Sequence, residues 1–173
     1  ITGAPRGTAY HRVMELLDFT KEYDFEGTEA AIEEMCESGR IAGEMAESVK
    51  PQDILTFIHT TSGQRMKQAT EENKLWKEQP FVLGIPAQDI YPEMTEADET
   101  MLVQGIIDVC FEEDGELVVL DYKTDKIWSE QKLLEKYQSQ LEYYARALEQ
   151  ITGKKVREKI IYSFTMQKEI AWK

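Results

Sequence analysis

The segment LVVLDYKTDK, residues 117–126, decides the fold. Leu117 to Leu120 form an apolar run suited to a strand inside a core. The run ends in Asp121 and Lys123, two residues apart and therefore on one side of the strand. Taken alone, an acid and a base so placed could be no more than the solvated end of a strand. The residues upstream change that reading. EEDGE, residues 112–116, carries Asp114-Gly115, a two-residue signal for a type I′ hairpin, whose central positions both need positive φ. The turn predicts antiparallel strands over Met101–Glu113 and Glu116–Thr124. Its register sets Glu113 against Glu116, Asp108 against Asp121 and Ile106 against Lys123.

Two carboxylates directly opposite each other repel. Ile107, Val109, Val119 and Leu120 are apolar neighbours, so desolvation adds to the cost. A positive charge is expected between the acids, supplied either by Lys123 or by a divalent cation of the kind that prefers oxygen ligands, Mg²⁺, Mn²⁺ or Ca²⁺. Asp108 is the stronger signal of the two acids, because it interrupts the apolar run GIIDVCF, residues 105–111.

Before the hairpin the chain reads as helical. Thr8 is expected to cap a helix carrying Tyr10, Val13, Met14 and Leu17 at helical spacing. Thr28 is expected to cap a second helix through about Ser38, Pro51 to open a third over Ile54, Leu55 and Ile58, and a fourth to cover Gln64–Lys74. Pro80 ends this part, and PFVLGIP, residues 80–86, reads as a strand between prolines. DIYPEMTEADE, residues 89–99, is polar and loop-like. After the hairpin come a helix over Ser129–Ile151 stopped by Gly153, then closing strands in VREKIIYSFT and EIAWK. The expected architecture is one α/β domain over residues 1–173. A mainly helical part, 1–79, holds His11, and a core of small mixed sheet and helix spans 80–173.

Lys and Arg number 20 against 33 Asp and Glu, a net charge of −13. That balance disfavours bulk attraction to DNA or anionic membranes, so any nucleic-acid role needs a specific site. No apolar run is long enough to span a bilayer, and no signal peptide is recognised. The first residue is Ile1 rather than Met, which suggests a piece of a longer chain. Cys36 and Cys110 fit no zinc or disulfide spacing and read as reduced cytosolic thiols. No G-x-x-x-x-G-K-[ST] loop occurs, so no ATP hydrolysis is expected of these residues. A phosphatase of small esters would also want a phosphate-cradling loop, and none is present.

GIID followed after the hairpin by DYK resembles the PD-(D/E)XK nuclease superfamily, with its restriction-endonuclease-like core. In the RecB-like branch an upstream histidine comes first and Q-x-x-x-Y follows on the next helix. His11 in GTAYH and Gln140 with Tyr144 in QLEYY match these positions. Longer segments (RGTAYHRVMELLDF, SGQRM, EQPFVLGIP, and LVQGIIDVCF continuing through DYKTDK) resemble the nuclease domains of the AddA-type helicase–nuclease family.

The resemblance implies a metal-dependent deoxyribonuclease that cuts an unwound DNA strand during double-strand break repair and recombination in the bacterial cytoplasm. The cation, Mg²⁺ with Mn²⁺ or Ca²⁺ able to substitute in binding, would be held by His11, Asp108, Asp121 and the Tyr122 carbonyl. Asp108, Asp121 and Lys123 would be catalytic. Gln140, Tyr144 and Glu78 would contact DNA or support the site. The implied partners are single-stranded DNA, a helicase domain in the same full-length chain and an AddB-type protein. The four cysteines that hold an iron–sulfur cluster in that partner are missing here. The alternative is an inactive module of the same fold that clamps DNA or contacts the AddB-type partner. Outside the resemblance, His11 reads as a half-buried packing residue, Glu78 as surface and His59 as exposed.

Overall fold

The computed structural model describes residues 4–93 and 99–173. Five helices come first: α1 (Ala4–Leu16), α2 (Phe25–Glu37), α3 (Gly43–Ser48), α4 (Pro51–Ile58) and α5 (Thr61–Glu71). Then follow β1 (Leu75–Pro86), the short α6 (Ala87–Ile90), β2 (Thr100–Glu113), β3 (Glu116–Lys123), α7 (Glu130–Thr152), β4 (Val156–Ser163) and β5 (Lys168–Trp172). The five strands lie side by side in chain order. Only β3 and β4 run parallel, because α7 carries the chain back between them. This is the expected mixed α/β architecture, a small sheet flanked by helices.

The hairpin forms as its turn residues require. Asp114 and Gly115 have φ of 53° and 80°, and the ladder runs from Glu113–Glu116 to Val109–Leu120. It stops there. The expected Ile106–Lys123 rung is absent, and Ile106 pairs with Pro80 on β1 only.

Local signals account for several helix ends, and some differ from expectation. α1 starts at Ala4, so Thr8 lies inside it rather than capping it. Asp24 caps α2 by accepting from the Gly27 N–H. Thr28 sits one turn further in and donates back to the Asp24 carbonyl at 2.8 Å, a bond that Ser and Thr make readily within helices. Pro51 opens α4 as expected. α5 begins at Thr61 under a Thr60 cap, ahead of Gln64. A Cβ at Gly63 would come within 2.4 Å of the Phe57 and Ile58 carbonyl oxygens, which is why α5 can fold so tightly off α4. Ser129 caps α7, and Gly153 closes it with φ of 72°. β1 begins at Leu75, five residues before Pro80. Asp89 and Ile90 belong to α6, and Met94–Asp98 of the expected loop lie outside the described residues.

Each face of the sheet has its own core. Val118, Leu120, Tyr122, Ile160 and Tyr162 pack under the N-terminal helices, whereas Leu117, Val119 and Ile161 pack under α7. The outer ribbon β1–β2 changes allegiance partway. Leu75, Val109 and Phe111 join the N-terminal core, but Phe81, Leu83, Ile85 and Ile107 join the α7 core. The change falls where Glu78 and Asp108 lie across from each other, between the Lys77–Val109 and Gln79–Ile107 pairs. Glu78 has φ of 51°, an uncommon left-handed conformation for a non-glycine residue. A local irregularity of this kind turns every later side chain to the other face. Beyond it, Val82, Leu102 and Ile106 are left exposed on the outer side of the ribbon.

Phe57 anchors the N-terminal helices to the sheet. It is fully buried, with ring centroids 4.8 Å from Tyr162 and 5.4 Å from Tyr122 in edge-on packing. Cys36 and Cys110 are both free thiols, and no helix among the described residues is long and apolar enough to cross a membrane. Phe57→Ala should destabilise the chain by about 3–5 kcal/mol. In urea unfolding the midpoint should fall with an unchanged m-value, and a loss below about 1 kcal/mol would mean that the helices are held by other contacts.

Candidate active site

Where β2 and β3 part, a side chain replaces the missing rung. Asp108 Oδ2 accepts from the Tyr122 backbone N–H at 2.9 Å. The same oxygen lies 2.9 Å from His11 Nε2. One carboxylate thus joins β2, β3 and α1. The N–H and C=O of a strand residue point to the same neighbour, so the Tyr122 carbonyl faces this gap as well.

His11 reaches the site from α1, and its other ring nitrogen, Nδ1, meets the Gly7 carbonyl at 2.8 Å. Both nitrogens therefore face acceptors, the arrangement of a protonated imidazolium. Burial opposes the charge, but the Asp108 hydrogen bond and carboxylate outweigh it and raise the His11 pKa. Gly7 is itself confined, since a Cβ there would lie 2.9 Å from Thr124 Oγ1.

Asp121 is 2% exposed. Burial and the Asp108 charge raise its pKa, against the pull of Lys123. In Asp108, burial acts upward but is overcome by His11, and the pKa falls. The two acids are thus pushed in opposite directions, Asp108 toward the carboxylate and Asp121 toward the protonated form. Lys123 Nζ is 2.6 Å from Asp121 Oδ2, an ion-pair contact without well-aligned hydrogen-bond geometry, and this oxygen has no well-aligned donor among the described residues. Lys123 donates instead to Gln140 Oε1 at 3.0 Å and sits over the Tyr137 ring, 4.0 Å from its centroid.

The residues singled out from the sequence fall into three groups. His11, Asp108, Asp121, Tyr122 and Lys123 come together at the end of β3, with Gln140 holding Lys123. Glu78 lies across from Asp108, and burial followed by the Asp108 charge pushes its pKa up to about 7. Tyr144 is buried edge-on against Phe81 at 5.3 Å in the α7 core, and its hydroxyl adjoins the cluster: burial and then the charges of Asp121, Asp108 and Glu78 raise its pKa. His59 is exposed, as expected.

Three contributors were not foreseen. They are the Gly7 carbonyl, the Tyr137 ring and Asp125, which accepts from the Tyr137 hydroxyl at 2.7 Å. Tyr137 stands three residues before Gln140, a spacing that shares one helix face, so the helix pattern held the clue to it.

Among the described residues, no three His, Cys, Asp or Glu side chains already surround a common point. His11 closes directly on Asp108, and Lys123 stands against Asp121. The donor set nevertheless suits a hard divalent cation. It offers two carboxylates, one with a buried oxygen that only the Lys123 ammonium approaches, an imidazole whose Nδ1–H on Gly7 leaves Nε2 free to ligate once deprotonated, and a carbonyl on the same edge.

The chain matches the PD-(D/E)XK nuclease superfamily over residues 2–170. It is 39% identical over 175 residues to an AddA-type ATP-dependent helicase/nuclease of Clostridium novyi, covering 98% of this chain and 14% of that protein. A protein of the same description from Lachnoclostridium phytofermentans is 34% identical over 204 residues, covering 98% and 15%. One from Thermoanaerobacter is 39% identical over 168 residues, covering 95% and 13%. The chain therefore spans only about a seventh of the length of these relatives.

Without divalent cations, the acid pair ties stability to pH. The Asp121 pKa rises from 3.8 to about 8 on folding, so between these values the folded chain binds the extra proton and stability falls as pH rises. His11, raised from 6.5 to about 9, acts in the same direction over its own window. Glu78, raised from 4.5 to about 7, adds slope of the same sign, so Asp121→Asn should make the profile clearly shallower below about pH 8 without flattening it, read as Tm against pH in EDTA. A variant profile as steep as the parent's would show that Asp121 does not carry the proton.

Proposed function

The chain belongs to the PD-(D/E)XK nuclease superfamily, and from that premise we propose that it is the metal-dependent deoxyribonuclease domain of an AddA-type helicase–nuclease, working in the bacterial cytoplasm. The observation that carries the proposal is the buried Asp108–Asp121 pair closed by His11 on one side and Lys123 on the other. Two acids forced together at such cost, with one oxygen met only by a poorly aligned ammonium, are arranged for a cation.

His11 Nε2, Asp108, Asp121 and the Tyr122 carbonyl would hold Mg²⁺, with Mn²⁺ or Ca²⁺ able to take its place in binding. Bound there, the cation supplies a water of lowered pKa and offsets charge on the phosphate. The protein residues do the rest. Gly7 fixes the His11 ring through Nδ1, so that Nε2 faces the acids. The Tyr122 N–H holds Asp108 at the gap between strands. Gln140 keeps the Lys123 ammonium at the end of β3, where it can bind a phosphate oxygen or orient the attacking water. The water oxygen forms the new bond to phosphorus as its proton passes to solvent, one P–O ester bond breaks, and the departing sugar oxygen takes a proton from solvent. Glu78, across from Asp108 and easily protonated, belongs to the support of this cluster.

The substrate is a single strand unwound by a helicase domain of the longer protein, with an AddB-type protein for a partner, in the processing of double-strand breaks. With 33 acidic residues against 20 basic ones, the chain has little bulk attraction for phosphates, so delivery of the strand by the helicase makes physical sense.

The test is cleavage of end-labelled single-stranded DNA, with metal binding measured alongside. Activity should require Mg²⁺ or Mn²⁺ and vanish in EDTA. Asp121→Asn should lower cleavage by at least about 10³-fold and weaken metal binding, whereas Lys123→Ala should lose cleavage on a similar scale and keep the metal. Undiminished cleavage by Asp121→Asn would place the chemistry elsewhere. Metal-dependent retention of DNA without any cutting would favour the clamping module.

A further inference from the structure

The Lys123 ammonium is gripped from three sides. Asp121 Oδ2 lies 2.6 Å from Nζ, and Gln140 Oε1 accepts from it at 3.0 Å. The third side is the face of Tyr137, with its centroid 4.0 Å away. That ring is itself tethered. Its hydroxyl donates to Asp125 Oδ2 at 2.7 Å, and Lys136 Nζ meets the same oxygen at 2.7 Å. Asp125 stands two residues after Lys123. One carboxylate therefore ties the outgoing end of β3 to the first half of α7.

We infer that Tyr137, fixed by Asp125, is a positioning residue that sets where the Lys123 ammonium stands against the reacting phosphodiester; the inference rests on the nuclease reading above. A lysine ammonium is a compact charge on a flexible stem. It helps a developing charge only if it waits in the right place, and misplacement by about 1 Å can cost on the order of 100-fold in rate. Asp121 is a weak anchor for this purpose. Its pairing with Lys123 lacks hydrogen-bond geometry, and in the proposed site the same carboxylate serves as a ligand. Gln140 supplies one directional contact. The Tyr137 face supplies an attraction that tolerates small rotations of the ammonium but resists its departure. Donation of the phenol hydrogen to Asp125 pushes electron density into the ring and strengthens that attraction. Lys136 balances the Asp125 charge, which would otherwise compete for Lys123. Lys136 is 54% exposed in its side chain, so its own share is reduced by solvent.

Two measurements on the whole chain, the second in Mg²⁺, test this. The first is the NMR shift of the Lys123 ε-methylene in protein labelled at lysine Cε, assigned with Lys123→Arg. Stacked over a ring, that signal should lie upfield of those from exposed lysines. It should stay upfield in Tyr137→Phe and return to the exposed position in Tyr137→Leu. The second is steady-state cleavage of single-stranded DNA. Tyr137→Leu should lower kcat by about 10–100-fold while KM and Mg²⁺ affinity hold, and Tyr137→Phe, which keeps the ring but loses the Asp125 tether, should fall between the parent and Tyr137→Leu.

A Lys123 signal that is not upfield in the parent, or that stays upfield in Tyr137→Leu, overturns the geometry. Loss of the upfield shift without loss of kcat overturns the positioning role. A fall in Mg²⁺ affinity that Tyr137→Phe does not restore marks a general structural role and overturns it too. A parent with the upfield signal that cuts no DNA overturns the nuclease reading itself, a result distinct from the other three.

Discussion

Asp108 Oδ2 accepts from the Tyr122 N–H on one side and meets the His11 ring on the other, each at 2.9 Å. The rest of the structure is organised around that oxygen. It stands in for a backbone carbonyl, so the β2–β3 ladder can end without leaving a buried N–H unpaired, a loss worth about 1–3 kcal/mol. Released from β3, the outer half of β2 pairs with β1 alone. The separation of the strands makes room for the Asp121 carboxyl, the Lys123 stem and the Tyr122 carbonyl. The same oxygen also brings α1 to the sheet, because its charge holds the imidazolium of His11.

Such an arrangement opposes stability at several points. Two acids are buried side by side, Glu78 adopts a left-handed backbone, and Asp121 Oδ2 lacks a hydrogen-bond partner. Strain of this sort persists only where the surroundings leave no alternative. Here two separate cores clamp the sheet, one on each face. At the hairpin end Arg65 makes a two-point contact with Glu113 and also reaches Glu158. The cost at one end of β3 is offset by tight packing along the rest of it.

How much of this could be read from the residues depended on how local the cause was. The hairpin was legible because Asp114-Gly115 dictates its own turn, and the turn then dictated the register that brings Asp108 beside Asp121. The helix caps were less legible. Thr28 offers the same hydroxyl whether it caps a helix or bonds back one turn inside it, and the choice fell to Asp24. The turnover of the β1–β2 ribbon at Glu78 was hidden altogether, because nothing about a glutamate signals positive φ; that conformation is imposed by the two cores pulling on either side. Leu75–Gln79 looked like the tail of a helical region for the same reason. In the site, His11, Asp108, Asp121 and Lys123 were found through spacing and resemblance. Tyr137 and Asp125 escaped because their meeting depends on how α7 is rotated against the sheet. Tyr144 shares the helix face of Gln140, and that rotation packs its ring in the α7 core while its hydroxyl stays within the field of Asp121 and Asp108.

His11 and Asp108 are separated by 97 positions along the chain. Their contact therefore forms only after the hairpin, the N-terminal helices and the docking of α1 are all in place. α1 is held to the sheet by more than this pair: Ala9, Tyr10, Val13 and Met14 lie in the same core as Val109, Leu120 and Tyr122, and Lys77 on β1 donates to the Glu15 and Leu17 carbonyls at 3.0 and 2.6 Å. Lifting α1 would therefore open that core as well as take away one of the four proposed ligands. Amide hydrogen exchange in the middle of α1 should then be about as slow as in β3. Completing the centre and completing the N-terminal core are one event, and a chain with α1 undocked carries its acids without a working centre.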